Sequence, residues 1–224
     1  MSLTYREISR KFLEIARKCI ENRLMTGKLG NLSTKIDDDK VLITPSGFEK
    51  NLLKPNHLLI VDLDGRVHRG HLKPSIEIWT HLGVYKSRPD VNAVIHTHSP
   101  YATILAVLGE SIPPLTVEFA SIVGHVVPVT RYVPPGSKEM ADEVVRVLGS
   151  DRLAVLVRNH GVFAVGDSLE EAYYVALSVE EESRIYFYTK FLALVEPTIL
   201  PNDEVLKLRS SYTSSLKIAH RPGS

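Results

Sequence analysis

The chain has 224 residues, of which 44% are hydrophobic, so it contains enough apolar material for one fairly large domain with its own core. Its net charge of +1, without a long basic run, gives no reason to expect nucleic acid or a membrane as a partner, and no apolar run is long enough to span a bilayer. Because the start lacks a signal-peptide pattern and the single cysteine excludes an internal disulfide, we expect a cytoplasmic protein.

The first part of the chain is predicted to form a helix followed by two hairpins. An apolar stripe every three to four residues indicates an amphipathic helix, with Cys19 packed in the core. Four short strands follow in pairs, and the second pair flanks Asp64-Gly65, a strong hairpin signal. The predicted elements cover residues 6–25, 32–36, 41–44, 58–63 and 66–69.

Two glycine-containing turns connect these elements, and each has two possible roles. Gly30-Asn31 follows the first helix, and Ser46-Gly47 follows the second strand. Backbone N–H groups and hydroxyls in such turns can bind a phosphate, although ordinary structural turns use the same residue types. The local sequence leaves both alternatives open.

A pair of histidines lies at the end of the apolar run over residues 91–95, which predicts a buried strand. Side chains two apart in a strand point to the same face, so His96 and His98 have the geometry of a metal clamp. A second apolar run, over residues 153–157, leads to His160. Imidazole suits zinc and similar metals, and a catalytic zinc site normally has three protein ligands. These three histidines are therefore candidate metal ligands.

One carboxylate completes the set of candidate ligands, while four further histidines are assigned to other roles. Glu77 lies just after Pro74-Ser75, which is typical of a helix start, and is the fourth candidate ligand. The other histidines within or beside predicted elements are expected to be surface residues or satisfied packing residues: His57, His68, His71 and His81.

The second half of the chain is predicted to alternate between helices and short strands. Residues 112–119 contain two prolines and are expected to form an exposed crossing that is compatible with a subunit interface. Residues 197–224 are expected to form a terminal helix and a mobile tail. The whole chain, residues 1–224, is therefore predicted to be a single α/β domain, an α/β/α sandwich with a mixed central sheet. The remaining predicted helices cover residues 101–108, 138–148 and 168–194, and the remaining strands cover 126–129 and 162–165.

Taken together, these motifs resemble the class II aldolase/adducin family over almost the whole chain. Within that family, the members that cleave L-fuculose 1-phosphate are the most similar. The five motifs, in the family's order and approximate spacing, are Gly30-Asn31-Leu32-Ser33, Ile43-Thr44-Pro45-Ser46-Gly47, Pro74-Ser75-Ile76-Glu77, His96-Thr97-His98-Ser99-Pro100 and Asn159-His160-Gly161.

The resemblance implies a role for each matching residue. His96, His98 and His160 would hold one zinc ion (Zn2+) per subunit, or another divalent transition metal. Glu77 would hold the metal when substrate is absent and serve as acid and base when it is present. The substrate phosphate would be bound without an arginine, by Asn31, Ser46, Gly47 and Ser75. A second serine that the family has after Ser75 is Ile76 here, so one phosphate donor is lost.

The activity implied is reversible cleavage of a ketose 1-phosphate, such as L-fuculose 1-phosphate, to dihydroxyacetone phosphate and an aldehyde, L-lactaldehyde in that case. The family also implies a homotetramer with active sites between subunits. Its tyrosine on the aldehyde side matches Val117 here, and the neighbouring Glu118 is more similar to relatives that dehydrate methylthioribulose 1-phosphate. Tyr212 matches a second, C-terminal tyrosine that closes over the site.

Two other reactions use the same metal site and remain as alternatives. They are the dehydration of methylthioribulose 1-phosphate and the 4-epimerisation of a pentulose phosphate. The Asp-Tyr-Phe signature expected of the epimerase is absent around Glu118, which ranks it below the dehydratase. Non-enzymatic adducin heads share the fold but lack the metal histidines. Retention of all three histidines and Glu77 therefore favours an enzyme.

Overall fold

One seven-stranded sheet forms the centre of the molecule in the computed structural model, which describes residues 4–193 and 196–219. The strands in chain order are β1 (Asn31–Lys35), β2 (Lys40–Ile43), β3 (Leu59–Asp62), β4 (Val67–Arg69), β5 (Ala93–Thr97), β6 (Ala154–Val157) and β7 (Gly161–Gly166). Across the sheet the order is β4-β3-β2-β1-β5-β7-β6, and all neighbouring strands are antiparallel. Within the described residues, the one parallel pairing is the isolated bridge between Val129 and Leu156. The sheet is therefore mixed only at that bridge.

Seven α-helices surround the sheet. They are α1 (Tyr5–Glu21), α2 (Ile78–Ser87), α3 (Pro100–Leu108), α4 (Val117–Ile122), α5 (Lys138–Leu148), α6 (Leu169–Phe187) and α7 (Asn202–Ala219) within the described ranges. Capping residues identified from the sequence set several boundaries. The Ser137 hydroxyl accepts the Met140 N–H at the start of α5, and Gly109, at φ +76°, ends α3. None of the helices in the described part of the chain is long and apolar enough to cross a membrane.

Alternating side chains of the strands fill two separate cores. Ile95 of β5 contributes to a core with α1, α3, α4 and α6, where Cys19 is also buried. Its neighbour Val94 belongs to a second core, on the opposite face, with α2 and α5. Because side chains of a strand alternate between faces, both faces of the sheet are covered. The predicted single-domain α/β/α sandwich is confirmed.

The position of β5 between β1 and β7 determines which residues meet near the sheet's middle. Asn31, His96 and Phe163 are paired across these three strands. At Gly161 the backbones approach so closely that a Cβ atom would lie 2.2 Å from the Thr97 carbonyl oxygen. Glycine at this position therefore lets β7 pack against the end of β5.

Three predicted features require correction or remain open. Residues 112–119 are not an exposed crossing, because Ile112 and Phe119 are buried and α4 begins at Val117. Residues 126–129 form two isolated bridges instead of a strand. The terminal helix is present as α7, while residues 220–224 lie outside the described residues, so a mobile tail stays a prediction.

Candidate active site

His96 lies near the end of β5 with its side chain fully buried. Its Nδ1 lies 2.8 Å from the carbonyl oxygen of Val162 and so must carry the proton, because a carbonyl only accepts hydrogen bonds. Burial lowers the pKa of His96 to about 4, which leaves the ring neutral at pH 7. The lone pair of Nε2 is therefore available to a metal, as is typical of histidine ligands held through their other nitrogen.

His98 and His160 bring their rings to the same point. The Nε2 atoms of His96 and His98 are 3.0 Å apart, and burial lowers the pKa of His98 to about 3. His160 lies in the short turn from β6 to β7, where Asn159 adopts φ +60°, a left-handed conformation that asparagine tolerates. Ligand atoms of these three histidines lie within 4.8 Å of one another. The structure thus brings the predicted triad together.

Glu77, the residue before α2, faces this triad and is only 4% exposed. Its Oε2 lies 3.3 Å from His96 Nε2, and its Oε1 lies 3.1 Å from His160 Nε2. Burial raises the pKa of Glu77. The neighbouring His96 and hydrogen bonds from His160 and Asn31 lower this pKa by a larger amount, so the net shift is downward. The carboxylate is ionised at neutral pH.

This donor set fits a divalent transition metal. Three imidazoles and one carboxylate oxygen are the ligand types that zinc takes in catalytic sites, and Glu77 supplies the negative charge. The buried Nδ1 of His160 has no hydrogen-bond partner among the described residues, so its tautomer is not tied to a protein acceptor. His96, His98, His160 and Glu77 therefore form a candidate metal centre.

A pocket of about 270 Å³ opens directly beside the triad. It is lined by all four predicted phosphate-binding residues and by Glu77, His98 and His160. The two turns that carry Ser46 and Ser75 are joined by a bridge between Pro45 and Pro74 and by hydrogen bonds across it. The predicted phosphate residues are Asn31, Ser46, Gly47 and Ser75. Their convergence with the histidines makes one continuous site.

Lys50 also lines this pocket and was not recognised from the sequence. It is 3% exposed, and its Nζ donates to the carbonyl oxygens of Lys28 and Phe48, each at 2.9 Å. In the described part of the chain, its Nζ forms no ion pair with a carboxylate within 4.0 Å. Burial lowers the pKa of Lys50 to about 8, and Glu77 opposes that shift. The pocket therefore contains a positive charge with no direct counter-ion.

The four histidines that were expected to be surface or packing residues have those roles. His57 accepts the Lys54 N–H, His68 pairs with Asp62 at 2.8 Å, and His71 is exposed. His81 is fully buried, and both of its ring nitrogens have hydrogen-bond partners. Surface placement or satisfied packing is confirmed for all four.

Glu118 and Tyr212 do not line the pocket of their own chain. Glu118 is an exposed residue in the first turn of α4. Tyr212 lies on α7, whose Arg209 donates to the carbonyl oxygens of Ser121 and Ile122 at the end of α4. Both elements pack on the α6 side of the sheet, opposite the face that carries His96. Their predicted roles would require a site on another subunit.

The chain is similar to known proteins in both sequence and structure. The sequence matches the family described as Class II Aldolase and Adducin N-terminal domain over residues 10–187. It is 38% identical over 197 residues to a 5-deoxy-D-ribulose 1-phosphate aldolase of Bacillus thuringiensis serovar kurstaki, covering 88% of this chain and 91% of that one. It is 36% identical over 200 residues to a 5-methylthioribulose-1-phosphate/5-deoxyribulose-1-phosphate aldolase of Rhodospirillum rubrum, covering 89% and 88%. A solved L-fuculose 1-phosphate aldolase matches with a TM-score of 0.87 at 32% identity, covering 92% of this chain and 96% of that one.

The geometry of the triad predicts that His98→Ala lowers bound metal. Removing one of three imidazoles leaves too few ligands for tight binding, so the metal content after dialysis should fall well below that of the native protein. Elemental analysis of the purified proteins measures this. His71→Ala, which removes an exposed histidine, is the control and should keep the native metal content. Equal metal content in the two variants would remove His98 from the metal centre.

Proposed function

The chain belongs to the class II aldolase and adducin family, and we propose that it is a zinc-dependent aldolase that cleaves a ketose 1-phosphate to dihydroxyacetone phosphate and a short aldehyde. Its relatives are named aldolases, so it is an enzyme of the aldehyde-lyase class. The observation that carries the proposal is that the candidate metal ligands and the predicted phosphate-binding residues lie in one site. Three histidines and Glu77 adjoin a pocket lined by every residue predicted to bind the phosphate.

Zinc is the metal we propose, one ion in each subunit, held by His96, His98 and His160. When bound, it acts as a Lewis acid on the carbonyl and adjacent hydroxyl oxygens of the substrate. The chain's contribution is to present imidazole lone pairs, at least two of them on rings that burial keeps neutral. Neutral ligands leave the ion's double charge undiminished.

Glu77 is the proposed acid and base at C3 of the substrate. Cleavage breaks the C3–C4 bond and leaves the electron pair on C3, which must take up a proton. In condensation the same carbon must lose that proton. Glu77 lies in the pocket beside two of the histidines and carries a lowered pKa, so it is ionised and ready to accept a proton. General acid–base catalysis of this kind contributes about 10²–10⁴ in rate.

The substrate phosphate would occupy the pocket formed by the turns of β1, β2 and α2. Asn31, Ser46, Gly47 and Ser75 offer amide, hydroxyl and backbone donors there. Lys50 adds a positive charge to this pocket, which was not predicted from the sequence. A dianionic phosphate is a suitable counter-ion for a buried ammonium that has none within 4.0 Å among the described residues.

The substrates named for the relatives share one chemical half. 5-Deoxyribulose 1-phosphate, methylthioribulose 1-phosphate and L-fuculose 1-phosphate share a C1 phosphate and a C2 carbonyl, and differ beyond C3. Because the two relatives compared at 36% and 38% identity both carry 5-deoxyribulose 1-phosphate in their names, we place it ahead of L-fuculose 1-phosphate. The methylthioribulose-phosphate dehydratase and the pentulose-phosphate 4-epimerase stay as alternative reactions on the same centre.

We further propose the homotetramer implied by the family, with sites between subunits. Glu118 and Tyr212 lie on exposed or half-buried positions of α4 and α7, away from the pocket of their own chain. Supplied from a neighbouring subunit, either side chain would face the aldehyde half of the substrate and exchange a proton with its oxygen. This arrangement explains how one chain can hold the phosphate half of the site while a second completes it.

Product analysis tests the reaction itself. We expect the zinc-loaded enzyme to release dihydroxyacetone phosphate from 5-deoxyribulose 1-phosphate, and acetaldehyde in equal amount. L-Fuculose 1-phosphate and methylthioribulose 1-phosphate are incubated in parallel, and products are identified by mass spectrometry. Loss of water with an intact carbon skeleton would establish the dehydratase instead, and a stereoisomer of a pentulose phosphate would establish the epimerase.

Glu77→Gln should keep the metal but lose turnover. Glutamine preserves the size of the side chain and can still accept the Asn31 N–H, but it cannot take a proton at neutral pH. We expect kcat to fall about 10²–10⁴-fold, measured as release of dihydroxyacetone phosphate, with native zinc content. Glu14→Gln, on the exposed face of α1, should behave as the native enzyme. An undiminished rate would remove Glu77 from proton transfer.

Lys50→Met should weaken phosphate binding while the protein stays folded. Methionine fills the same buried space, but the carbonyl oxygens of Lys28 and Phe48 lose their Nζ donor, so we expect a moderate loss of stability as well. We expect KM for the phosphorylated substrate and the Kd for inorganic phosphate to rise about tenfold, the cost of one charge-assisted contact. Thermal shift with inorganic phosphate measures binding independently of turnover. Lys54→Met, at an exposed lysine outside the pocket, is the control. Unchanged phosphate affinity in Lys50→Met would contradict the role of Lys50.

A further inference from the structure

A row of polar side chains runs along the buried face of α2 and ends at Glu77. Glu77, His81 and Tyr85 follow one another at intervals of four residues, and Asn31 and Ser33 lie two apart on β1. Four residues of helix rise about 6 Å and two residues of strand about 6.8 Å, so the two rows match in spacing. Side chains of the helix and the strand therefore alternate along one line.

The five side chains form a continuous chain of hydrogen bonds. The hydroxyls of Tyr85 and Ser33 are 2.7 Å apart, and Ser33 Oγ lies 2.6 Å from His81 Nδ1. His81 Nε2 lies 2.5 Å from Asn31 Oδ1, and Asn31 Nδ2 lies 2.5 Å from Glu77 Oε2. All five residues are buried. This series of hydrogen bonds thus connects Glu77, the candidate base, to the buried hydroxyl of Tyr85.

The Asn31 amide determines the direction of every hydrogen bond in this series. Its Nδ2 can only donate and lies against Glu77 Oε2, so its Oδ1, which can only accept, is presented to His81. His81 must then donate through Nε2, which leaves Nδ1 to accept from the Ser33 hydroxyl. Ser33, having used its one hydrogen, accepts from Tyr85. Only one tautomer of His81 is compatible with the whole network.

We propose that His81 is a positioning residue, whose Nε2–H holds the Asn31 amide in the one orientation that lets Asn31 donate to Glu77. The inference rests on the proposed function in one respect, that Glu77 transfers the proton. Without the donor from His81, Asn31 Oδ1 is buried without a partner and the amide is free to rotate. A rotated amide would place its oxygen against the Glu77 carboxylate, where two acceptors repel each other.

Two substitutions at His81 distinguish the roles of its two ring nitrogens. The amide nitrogen of glutamine reaches the position of His81 Nε2 and can donate to Asn31 Oδ1. The amide group of asparagine reaches only the position of Nδ1, so it can form a hydrogen bond with Ser33 but not with Asn31. We expect His81→Gln to keep kcat within about threefold and His81→Asn to lose about 10–100-fold, the usual effect of removing a partner that orients a catalytic group. KM should change less than kcat in both variants.

Zinc content and the unfolding temperature are measured on both variants, because a merely structural role of His81 would lower stability and activity together in each. Equal kcat in His81→Gln and His81→Asn, whether high or low, would overturn the proposal, since the effect would then not depend on the Nε2 donor.

The tautomer of His81 provides a readout that needs neither variant nor turnover. In the native protein with ¹⁵N-labelled histidine, the proposal requires the proton on Nε2 of His81 and a bare Nδ1, and the opposite tautomer would overturn it. If the native enzyme cleaves none of the ketose 1-phosphates while His81 shows this tautomer, the proposed reaction fails and the positioning of Asn31 stands.

Discussion

The placement of β5 between β1 and β7 is the constraint on which the site depends. Antiparallel pairing aligns Asn31, His96 and Phe163 in one row, and His96 stacks on the Phe163 ring with centroids 4.3 Å apart. The Val162 carbonyl in β7 fixes the proton on His96 Nδ1. A slip of one residue would turn His96 and His98 to the opposite core. Sheet register therefore determines the positions of His96 and His98, two of the candidate metal ligands, and the tautomer of His96.

Burial has opposite consequences for the different groups of the site. It lowers the pKa values of His96 and His98, which favours the neutral form that binds metal. The same burial is unfavourable for the charges of Glu77 and Lys50, which remain because each has hydrogen-bond partners. A charge kept at this cost is explained most simply by a ligand of opposite charge. The site offers Glu77 to a cation and Lys50 to an anion, as a metal and a sugar phosphate together require.

The candidate metal ligands could be located from the sequence because each follows a local rule. His96 and His98 are two apart at a strand end, His160 follows a second apolar strand, and Glu77 precedes a helix. Lys50 and His81 follow no such rule. Lys50 lies in a short 3-10 turn, and its side chain is buried only because residues 27–30 fold against it. His81 resembles any polar residue of a helix in the sequence, because its partners on β1 are distant along the chain.

Residues 112–119, which contain two prolines, show where a local pattern fails to predict burial. Two prolines in residues 112–119 correctly exclude a central strand, but they do not exclude burial. Ile112 bridges Val127, and Thr116 caps α4 through the Phe119 N–H, while Glu182 of α6 accepts the backbone N–H of Thr116. Tertiary contacts thus make the predicted exposed crossing a buried segment that leads into α4.

The exposed part is the first turn of α4, with Val117 and Glu118. This turn lies on the side of the sheet away from the candidate metal centre of its own chain. In the proposed function, the chain's own residues would hold the phosphate and the carbonyl, the half that the substrates named for its relatives share. The half that differs between the substrates named for its relatives lies beyond C3, and the residues predicted to face it, Glu118 and Tyr212, lie on α4 and α7. Under that proposal, substrate choice would change through these two helices without disturbing the sheet register that positions the candidate metal ligands.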